Sequence, residues 1–75
     1  MTTNLAELGE GIFARITDVG AEGPIGRRLM EMGVVPGVSV RVVKSAPFGD
    51  PIEIRLPGYS LAMRRAEART VVVEV

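Results

Sequence analysis

Neither cysteine nor histidine occurs in this chain of 75 residues. Without cysteine, the chain has no disulfide framework, no thiolate nucleophile and no cysteine-based zinc or iron–sulfur site. Without histidine, it also lacks the commonest general base near neutral pH. The metal ligands that remain are carboxylates and carbonyls, which suit hard cations such as Mg²⁺ or Ca²⁺.

An excess of one sign of charge is also missing, because nine Lys and Arg residues balance nine Asp and Glu residues. A protein that binds the nucleic-acid backbone needs surplus Lys and Arg to displace counterions from the phosphates. The charge balance therefore predicts that nucleic acid is not a partner of this chain.

Long apolar runs are absent too, although 47% of the residues are hydrophobic. No run approaches the roughly 18 to 20 residues that a membrane span requires. The opening residues, MTTNLAELGEG, lack the basic start and the apolar stretch of a signal peptide. We therefore expect a cytoplasmic chain that does not span a membrane. Its length predicts one domain, residues 1–75, near the lower size at which a single hydrophobic core suffices.

Alternating apolar and polar residues predict five short strands. The segment GIFARITDV places Ile12, Ala14 and Ile16 on one face, which is the period of a half-buried strand. Four more segments share this alternation: residues 38–43, 52–56, 59–64 and 70–75. The Pro-Gly pairs in VVPG and LPGY suit tight turns, and the segment SAPFGDP, residues 45–51, lies where a hairpin loop should.

One helix is predicted between the first two strands, where the apolar period changes. Ile25, Leu29 and Met32 recur at intervals of four and three residues, as they would on one helical face. Pro24 suits the first helical position and Gly33 suits a left-handed C-cap. The helix is therefore expected to run from about Pro24 to Met32.

Together these elements favour an all-β fold, a small SH3-like β-barrel of about five antiparallel strands with one short α-helix. A β-sandwich is less suitable, because it normally takes about 100 residues. Closing the sheet into a barrel also removes most of its exposed strand edges.

No arrangement of residues in the sequence indicates catalysis or metal binding. There is no GxxxxGK[ST] phosphate loop, the carboxylates are scattered, and the serine and threonine hydroxyls have no histidine partner. The helix start, GPIGRR, brings free backbone N–H groups close to Arg27 and Arg28, which suits an anion. Solvated or paired arginines on a capped helix are the simpler interpretation. We therefore predict that the chain is not an enzyme and has no catalytic, metal-binding or cofactor-binding residue.

Most of the chain resembles the FeoA family, the small cytosolic companions of the bacterial ferrous iron transporter. The resemblance is carried by residues 27–73, RRLMEMGVVPGVSVRVVKSAPFGDPIEIRLPGYSLAMRRAEARTVVV. Its motifs are an Arg-Arg-Leu helix that ends in Met-Gly, a Pro-Gly turn, Ala-Pro-x-Gly-Asp-Pro, a Gly-x-x-Leu-Ala strand and Arg-x-x-Glu-Ala. The segment LAELGEG near the start is also similar to the family's opening, whereas residues 17–23 match least.

The resemblance implies an SH3-like barrel and a partner, the membrane protein FeoB, which has a cytosolic GTPase domain. It also implies a role in assisting or regulating Fe²⁺ uptake, with no catalytic or iron-binding residues and no cofactor. We therefore expect an interaction module that binds the cytosolic region of a FeoB-like transporter and modulates ferrous iron transport. Direct binding of a transition metal and self-association both stay open.

Two alternatives to this function stay open. A similar barrel forms the C-terminal domain of iron-dependent repressors related to the diphtheria toxin repressor, so the chain also suits an adaptor of such a repressor. We do not expect a stand-alone repressor, because 75 residues leave no room for winged-helix and dimerisation domains. A nucleic-acid-binding SH3-like module would require a basic stripe built from Arg27, Arg28, Arg64, Arg65 and Arg69.

The residues that contact the partner are expected to form a mixed apolar and charged patch, as suits a transient interface. The predicted contact residues, from the helix, the turn after it and the hairpin tip, are Arg28, Met30, Glu31, Val34, Val35 and Phe48. Val34 and Val35 are equally suited to burial in the barrel, and Met30 to filling a gap in the core. Phe48 either folds over one open end of the barrel or stands out as an apolar contact.

Overall fold

The computed structural model describes residues 1–75 and contains one six-stranded sheet in which every pair of neighbouring strands is antiparallel. The strands are β1 (Thr2–Asn4), β2 (Phe13–Val19), β3 (Ser39–Ser45), β4 (Ile52–Leu56), β5 (Tyr59–Met63) and β6 (Val71–Glu74). Their order across the sheet is β1-β6-β2-β3-β4-β5. Helix α1 (Gly23–Glu31) lies between β2 and β3 in the chain, and the short helix α2 (Arg65–Ala68) lies between β5 and β6. Neither helix is long and apolar enough to cross a membrane.

The five strands predicted from alternation are all present. In β2, for example, Ala14 and Ile16 are buried while Phe13 and Arg15 are exposed. Ile12 differs from the prediction, because it precedes β2 and is partly exposed instead of lying on the inner face. The buried positions of this strand therefore begin at Ala14, two residues after Ile12, where the sequence pattern places the first one.

The sixth strand, β1, was not predicted from the sequence. Its three residues, Thr2–Asn4, contain no apolar side chain and so carry no alternation signal. The strand exists because it pairs with β6, with Thr2 opposite Glu74 and Asn4 opposite Val72. A pairing between the two ends of the chain is a long-range contact that local periodicity does not report.

The core consists entirely of apolar side chains, and no polar or charged residue is buried. Every second residue of β4 contributes, with Ile52, Ile54 and Leu56 all buried. The opening segment also enters the core through Leu5 and Leu8, although it lies outside the strands. Burial of such side chains stabilises a fold by about 1.5–3 kcal/mol each before ordering costs are counted.

Helix α1 begins and ends close to the predicted residues. Pro24 lies in its first turn, where the missing N–H costs no hydrogen bond. At the other end, the Val34 N–H donates to the Leu29 carbonyl oxygen at 2.9 Å, across Gly33 with its positive φ of 91°. This is the left-handed C-cap that the sequence predicts.

The inward face of α1 differs from the predicted stripe. Leu29 is buried as expected, but the second buried residue is Gly26, and Ile25 is 51% exposed. A Cβ on Gly26 would lie only 2.2 Å from the Ala21 carbonyl oxygen, so the helix backbone packs directly against the preceding segment. Because glycine has no side chain to contribute to a hydrophobic pattern, the apolar spacing predicts that its neighbour Ile25 faces the core instead.

The loop between β3 and β4 is the hairpin loop predicted for SAPFGDP. It closes through two backbone hydrogen bonds, from the Ala46 N–H to the Pro51 carbonyl oxygen at 2.9 Å and from the Gly49 N–H to the Ala46 carbonyl oxygen at 2.7 Å. The peptide bond between Asp50 and Pro51 is cis. The β3–β4 hairpin therefore ends in a short, hydrogen-bonded loop, and Phe48 is one of the residues of this tip.

Candidate functional site

Phe48 stands out from the hairpin tip and is 100% exposed. Two orientations were predicted for this ring, one folded over an open end of the barrel and one standing out from it. The structure has the second, in which the ring points away from the body of the protein. A buried phenylalanine would contribute about 1.5–3 kcal/mol to folding, and the protein forgoes that contribution here. The ring is therefore free to contact another molecule.

Arg65 ties the hairpin tip to the rest of the molecule. Its backbone N–H donates to the Asp50 carboxylate at 3.0 Å, and its Nε–H donates to the Gly49 carbonyl oxygen at 2.8 Å. Its Nη1 donates a third hydrogen bond, of 2.6 Å, to the Ala6 carbonyl oxygen. These bonds join three segments that are far apart in the chain: the opening segment, the tip and α2.

The Arg65 contacts also unite two of the motifs that carry the family resemblance, Ala-Pro-x-Gly-Asp-Pro and Arg-x-x-Glu-Ala. Glu67 completes the arrangement, because its carboxylate accepts a hydrogen bond of 3.1 Å from the Arg64 N–H at the start of α2. No spacing or motif in the sequence assigns this role to Arg65. The motif Arg-x-x-Glu-Ala begins at Arg64 and leaves Arg65 at a variable position, so only the contacts across the fold reveal what Arg65 does.

A groove beside α1 is the second candidate surface. It has a volume of about 460 Å³ and lies between the helix, the end of β2 and the turn that follows the helix. Its apolar lining residues other than glycine are Val19, Ala21, Met30, Val34, Val35 and Pro36. Asp18 and Arg27 also line it, so that one charge of each sign lies beside the apolar surface. Met30 is 63% exposed and does not fill a gap in the core.

The prediction that Val34 contacts a partner is wrong, because Val34 is buried in the core with 1% of its surface exposed. Its position directly after the left-handed cap turns its side chain back toward the helix, as the residue following such a cap commonly does. Of the two alternatives for this pair of valines, burial therefore holds for Val34. Val35 is half-buried and lines the groove.

The remaining predicted contact residues do not form one patch. Met30 and Val35 share the groove beside α1. Arg28 lies in a different, smaller depression with Pro51 and Arg64, near the base of the hairpin tip. Glu31 is exposed at the end of α1. The structure therefore offers two surfaces, the groove and the tip, instead of the single surface expected.

The arginines of the basic stripe are brought together only in part. Arg27 lines the groove, whereas Arg28 and Arg64 line the other depression. The Arg65 guanidinium is already bonded to two backbone carbonyl oxygens. The Glu67 carboxylate lines the same depression as Arg28 and Arg64, so these arginines do not form the purely basic stripe that the nucleic-acid alternative requires.

The acidic side chains do not gather into a group of three or more that could hold a metal ion. The two carboxylates closest in sequence on the hairpin, Asp50 and Glu53, have separate partners. Asp50 accepts the Arg65 N–H, while Glu53 lies 3.8 Å from the Lys44 ammonium.

Comparisons with known proteins agree with the motifs. A model of the FeoA domain matches residues 3–75. A Porphyromonas gingivalis protein, a fusion of Fe(2+) transport protein A with the Fe(2+) transporter FeoB, is 38% identical over 71 residues. Those residues are 95% of this chain, and the chain spans only 8% of the fusion protein's length.

Solved structures show the same fold. The solution structure of the FeoA protein from Chlorobium tepidum is 44% identical, with a TM-score of 0.90 over 97% of this chain and 70% of that one. The crystal structure of Stenotrophomonas maltophilia FeoA in complex with zinc is 36% identical, with a TM-score of 0.78 over 96% of this chain and 89% of that one. That protein is described as a procaryotic SH3 domain protein. The SH3-like fold class predicted from the strand pattern is therefore confirmed, with six strands instead of about five.

Proposed function

This chain belongs to the FeoA family, and we propose that it acts as a small non-enzymatic module that binds the cytosolic region of a FeoB-like transporter and modulates Fe²⁺ uptake. The observation that carries the proposal is the Porphyromonas gingivalis relative, in which a region similar to this chain is part of one polypeptide with the transporter. Joining two modules covalently keeps each at a high effective concentration near the other, which favours even a weak contact.

The side-chain chemistry supports an interaction module over an enzyme. The two candidate surfaces present an aromatic ring, apolar groove residues and isolated charges, without a nucleophile beside a base. Mixed apolar and charged surfaces of this kind are typical of transient interfaces. The proposal places the module on the cytoplasmic side of the membrane, where a transporter's GTPase domain would lie.

Binding is tested by calorimetric titration of the chain into the purified cytosolic region of the FeoB-like transporter from the same genome. The titration is repeated without nucleotide, with GDP and with a non-hydrolysable GTP analogue. We expect binding in at least one nucleotide state. Phe48→Asp should weaken it, and the matched variant Phe13→Asp, which makes the same change at another exposed aromatic, should not.

Iron uptake by a strain that lacks the chain provides the second measurement. We expect reduced Fe²⁺ uptake that is restored by the wild-type chain and less well by Phe48→Asp. An absence of binding in every nucleotide state, together with normal iron uptake in the deletion strain, would overturn the proposal.

A further inference from the structure

We infer that Phe48 is an aromatic anchor for an apolar pocket on the transporter's cytosolic region, and that Arg65 is the positioning residue that presents it. The inference rests on the proposed function, because it names the part of this chain that the transporter would contact. It begins from one contrast: the ring of Phe48 is fully exposed, yet the backbone on both sides of it is held by hydrogen bonds.

The residues that follow Phe48 are held by Arg65. The Gly49 carbonyl oxygen accepts from Nε–H of Arg65 at 2.8 Å, and the Asp50 carboxylate accepts from the Arg65 N–H at 3.0 Å. The loop also closes on itself, since the Gly49 N–H donates to the Ala46 carbonyl oxygen at 2.7 Å. Phe48 therefore projects from a segment whose backbone is bonded before and after it.

Arg65 also fixes the tip relative to the body of the protein. Its Nη1 donates to the Ala6 carbonyl oxygen at 2.6 Å, and Ala6 belongs to the buried opening segment. Hydrogen bonds from a guanidinium are charge-assisted and stronger than those between neutral groups. The planar fork of Arg65 bridges Ala6 and Gly49, which a single flexible ammonium does less well.

The chemistry around the tip indicates an apolar pocket on a protein. Lys44 lies 3.8 Å from Glu53 across the hairpin, and Glu67 lines the same depression as Arg28 and Arg64, so acidic side chains accompany the basic ones near the tip. A membrane surface would favour a strong basic surplus beside an exposed aromatic, whereas acidic side chains offset most of the basic ones near this tip. An aromatic ring that is held in place and enters a dry pocket is the common form of a binding hot spot.

Holding the ring before binding reduces the cost of binding. A mobile loop must be ordered when the complex forms, whereas the Arg65 contacts have already restricted this one. Removing Arg65 should therefore weaken binding even though Phe48 is still present. Its effect should disappear when Phe48 is absent, because Arg65 acts through the ring.

The test is a double-mutant cycle with the wild-type chain, Phe48→Ala, Arg65→Met and the double variant, each titrated against the same cytosolic region. Methionine retains an unbranched apolar stem and removes the guanidinium donors. We expect each single variant to raise the Kd roughly tenfold, about 1.4 kcal/mol. The double variant should bind like Phe48→Ala, within a factor of about two.

Two further measurements separate positioning from a general structural role. Backbone ¹⁵N relaxation should show faster motion at residues 47–49 in Arg65→Met than in the wild type, while the strands stay unchanged. Arg65→Lys should recover part of the affinity. If Arg65→Met fails to fold, Asp50→Ala replaces it, because it removes only the exposed carboxylate that accepts the Arg65 N–H.

Each outcome has a distinct meaning. Failure of the wild type to bind in every nucleotide state overturns this inference, and together with normal iron uptake in the deletion strain it overturns the proposed function as well. Binding by the wild type that Phe48→Ala leaves unchanged overturns the inference alone, and so does an Arg65→Met effect that is fully additive with Phe48→Ala. Sedimentation of the wild-type chain, but not of Phe48→Ala, with vesicles of phosphatidylcholine and phosphatidylglycerol would assign the ring to a membrane instead of a protein pocket and would also overturn it.

Discussion

The Tyr59 hydroxyl donates a hydrogen bond of 2.6 Å to the Met32 carbonyl oxygen and thereby joins the first residue of β5 to the end of α1. The last carbonyl groups of a helix have no partner within the helix, and this side chain supplies one. The same hydroxyl lies over Gly33, where an added Cβ would come within 1.9 Å of it. One tyrosine therefore satisfies the helix end and restricts the residue that follows it.

Tyr59→Phe tests the value of this hydrogen bond. The variant keeps the ring and leaves the Met32 carbonyl without its donor, so we expect a loss of about 0.5–1.5 kcal/mol in the free energy of unfolding. Urea unfolding followed by circular dichroism measures the loss. An unchanged midpoint would show that water replaces the hydroxyl at no cost.

Gly33→Ala and Gly37→Ala form a matched pair. Both glycines have positive φ, 91° and 94°, but only Gly33 has a side chain above it. Each alanine is strained by about 1 kcal/mol or more. Gly33→Ala should cost about 1 kcal/mol beyond Gly37→Ala, because it displaces the Tyr59 hydroxyl. That difference should vanish when both changes are made in a Tyr59→Phe background.

Gly26→Ala and Ile25→Ala test which face of α1 is buried. Alanine favours a helix over glycine by about 1 kcal/mol, yet Gly26→Ala should destabilise the protein because its Cβ would meet the Ala21 carbonyl oxygen at 2.2 Å. Ile25→Ala should cost less than about 1 kcal/mol, since a buried isoleucine would cost about 2–5 kcal/mol. Thermal unfolding of both variants measures which is the less stable. A larger loss of stability in Ile25→Ala than in Gly26→Ala would contradict the structure.

Met30→Asp and Val34→Asp separate surface from core among the predicted contact residues. Val34→Asp places an unpaired charge in the core and should lower stability by about 4 kcal/mol or more. Met30→Asp should change stability by less than about 1 kcal/mol, because the side chain is exposed. Melting temperatures measure both. A collapse of Met30→Asp would show that Met30 belongs to the core.

Glu74 should make stability depend on pH at the junction of β1 and β6. A hydrogen bond from the Thr2 hydroxyl, and after it the N-terminal ammonium at 3.1 Å, hold the pKa of Glu74 below its ordinary value of 4.5. Because the folded-state pKa is lowered, this stabilisation is fully present above the ordinary pKa and is lost as the pH falls through the lowered one. The stability difference between wild type and Glu74→Gln should therefore shrink as the pH falls below the ordinary value of 4.5 and through the lowered pKa. Thr2→Val should reduce this pH dependence. Urea unfolding at several pH values measures it, and a pH profile that Thr2→Val leaves unchanged would contradict the role of the Thr2 hydroxyl.

The local features of the fold were predictable because their signals lie within a few residues. Alternation identified five of the six strands, and the paired Pro-Gly residues marked two turns. The helix bounds followed from Pro24 and Gly33, which act at the helix ends through their own backbone preferences. The ordered motifs led to the FeoA family, and the match over residues 3–75 confirms that resemblance.

The features that stayed hidden depend on contacts between distant segments. Gly26 gives no hydrophobic signal, and its closeness to Ala21 exists only once the helix is packed. Strand β1 is polar and is defined by its pairing with β6. Val34 and Met30 lie four residues apart and are both apolar, yet one is core and the other surface, because the C-cap turns the chain between them.

By itself, the sequence determined five of the six strands, the two Pro-Gly turns, the ends of α1 and the family, since each is written in residue spacing or in motifs. Only the tertiary structure decided the direction of Phe48 and the role of Arg65. The composition of a loop indicates that the chain turns there. Whether an aromatic ring in the loop points toward the body of the protein or into solvent depends on which hydrogen-bond donors and acceptors from other segments reach the loop. Here the Arg65 guanidinium reaches the Gly49 carbonyl oxygen from a helix 16 residues away and holds the tip that projects the ring into solvent.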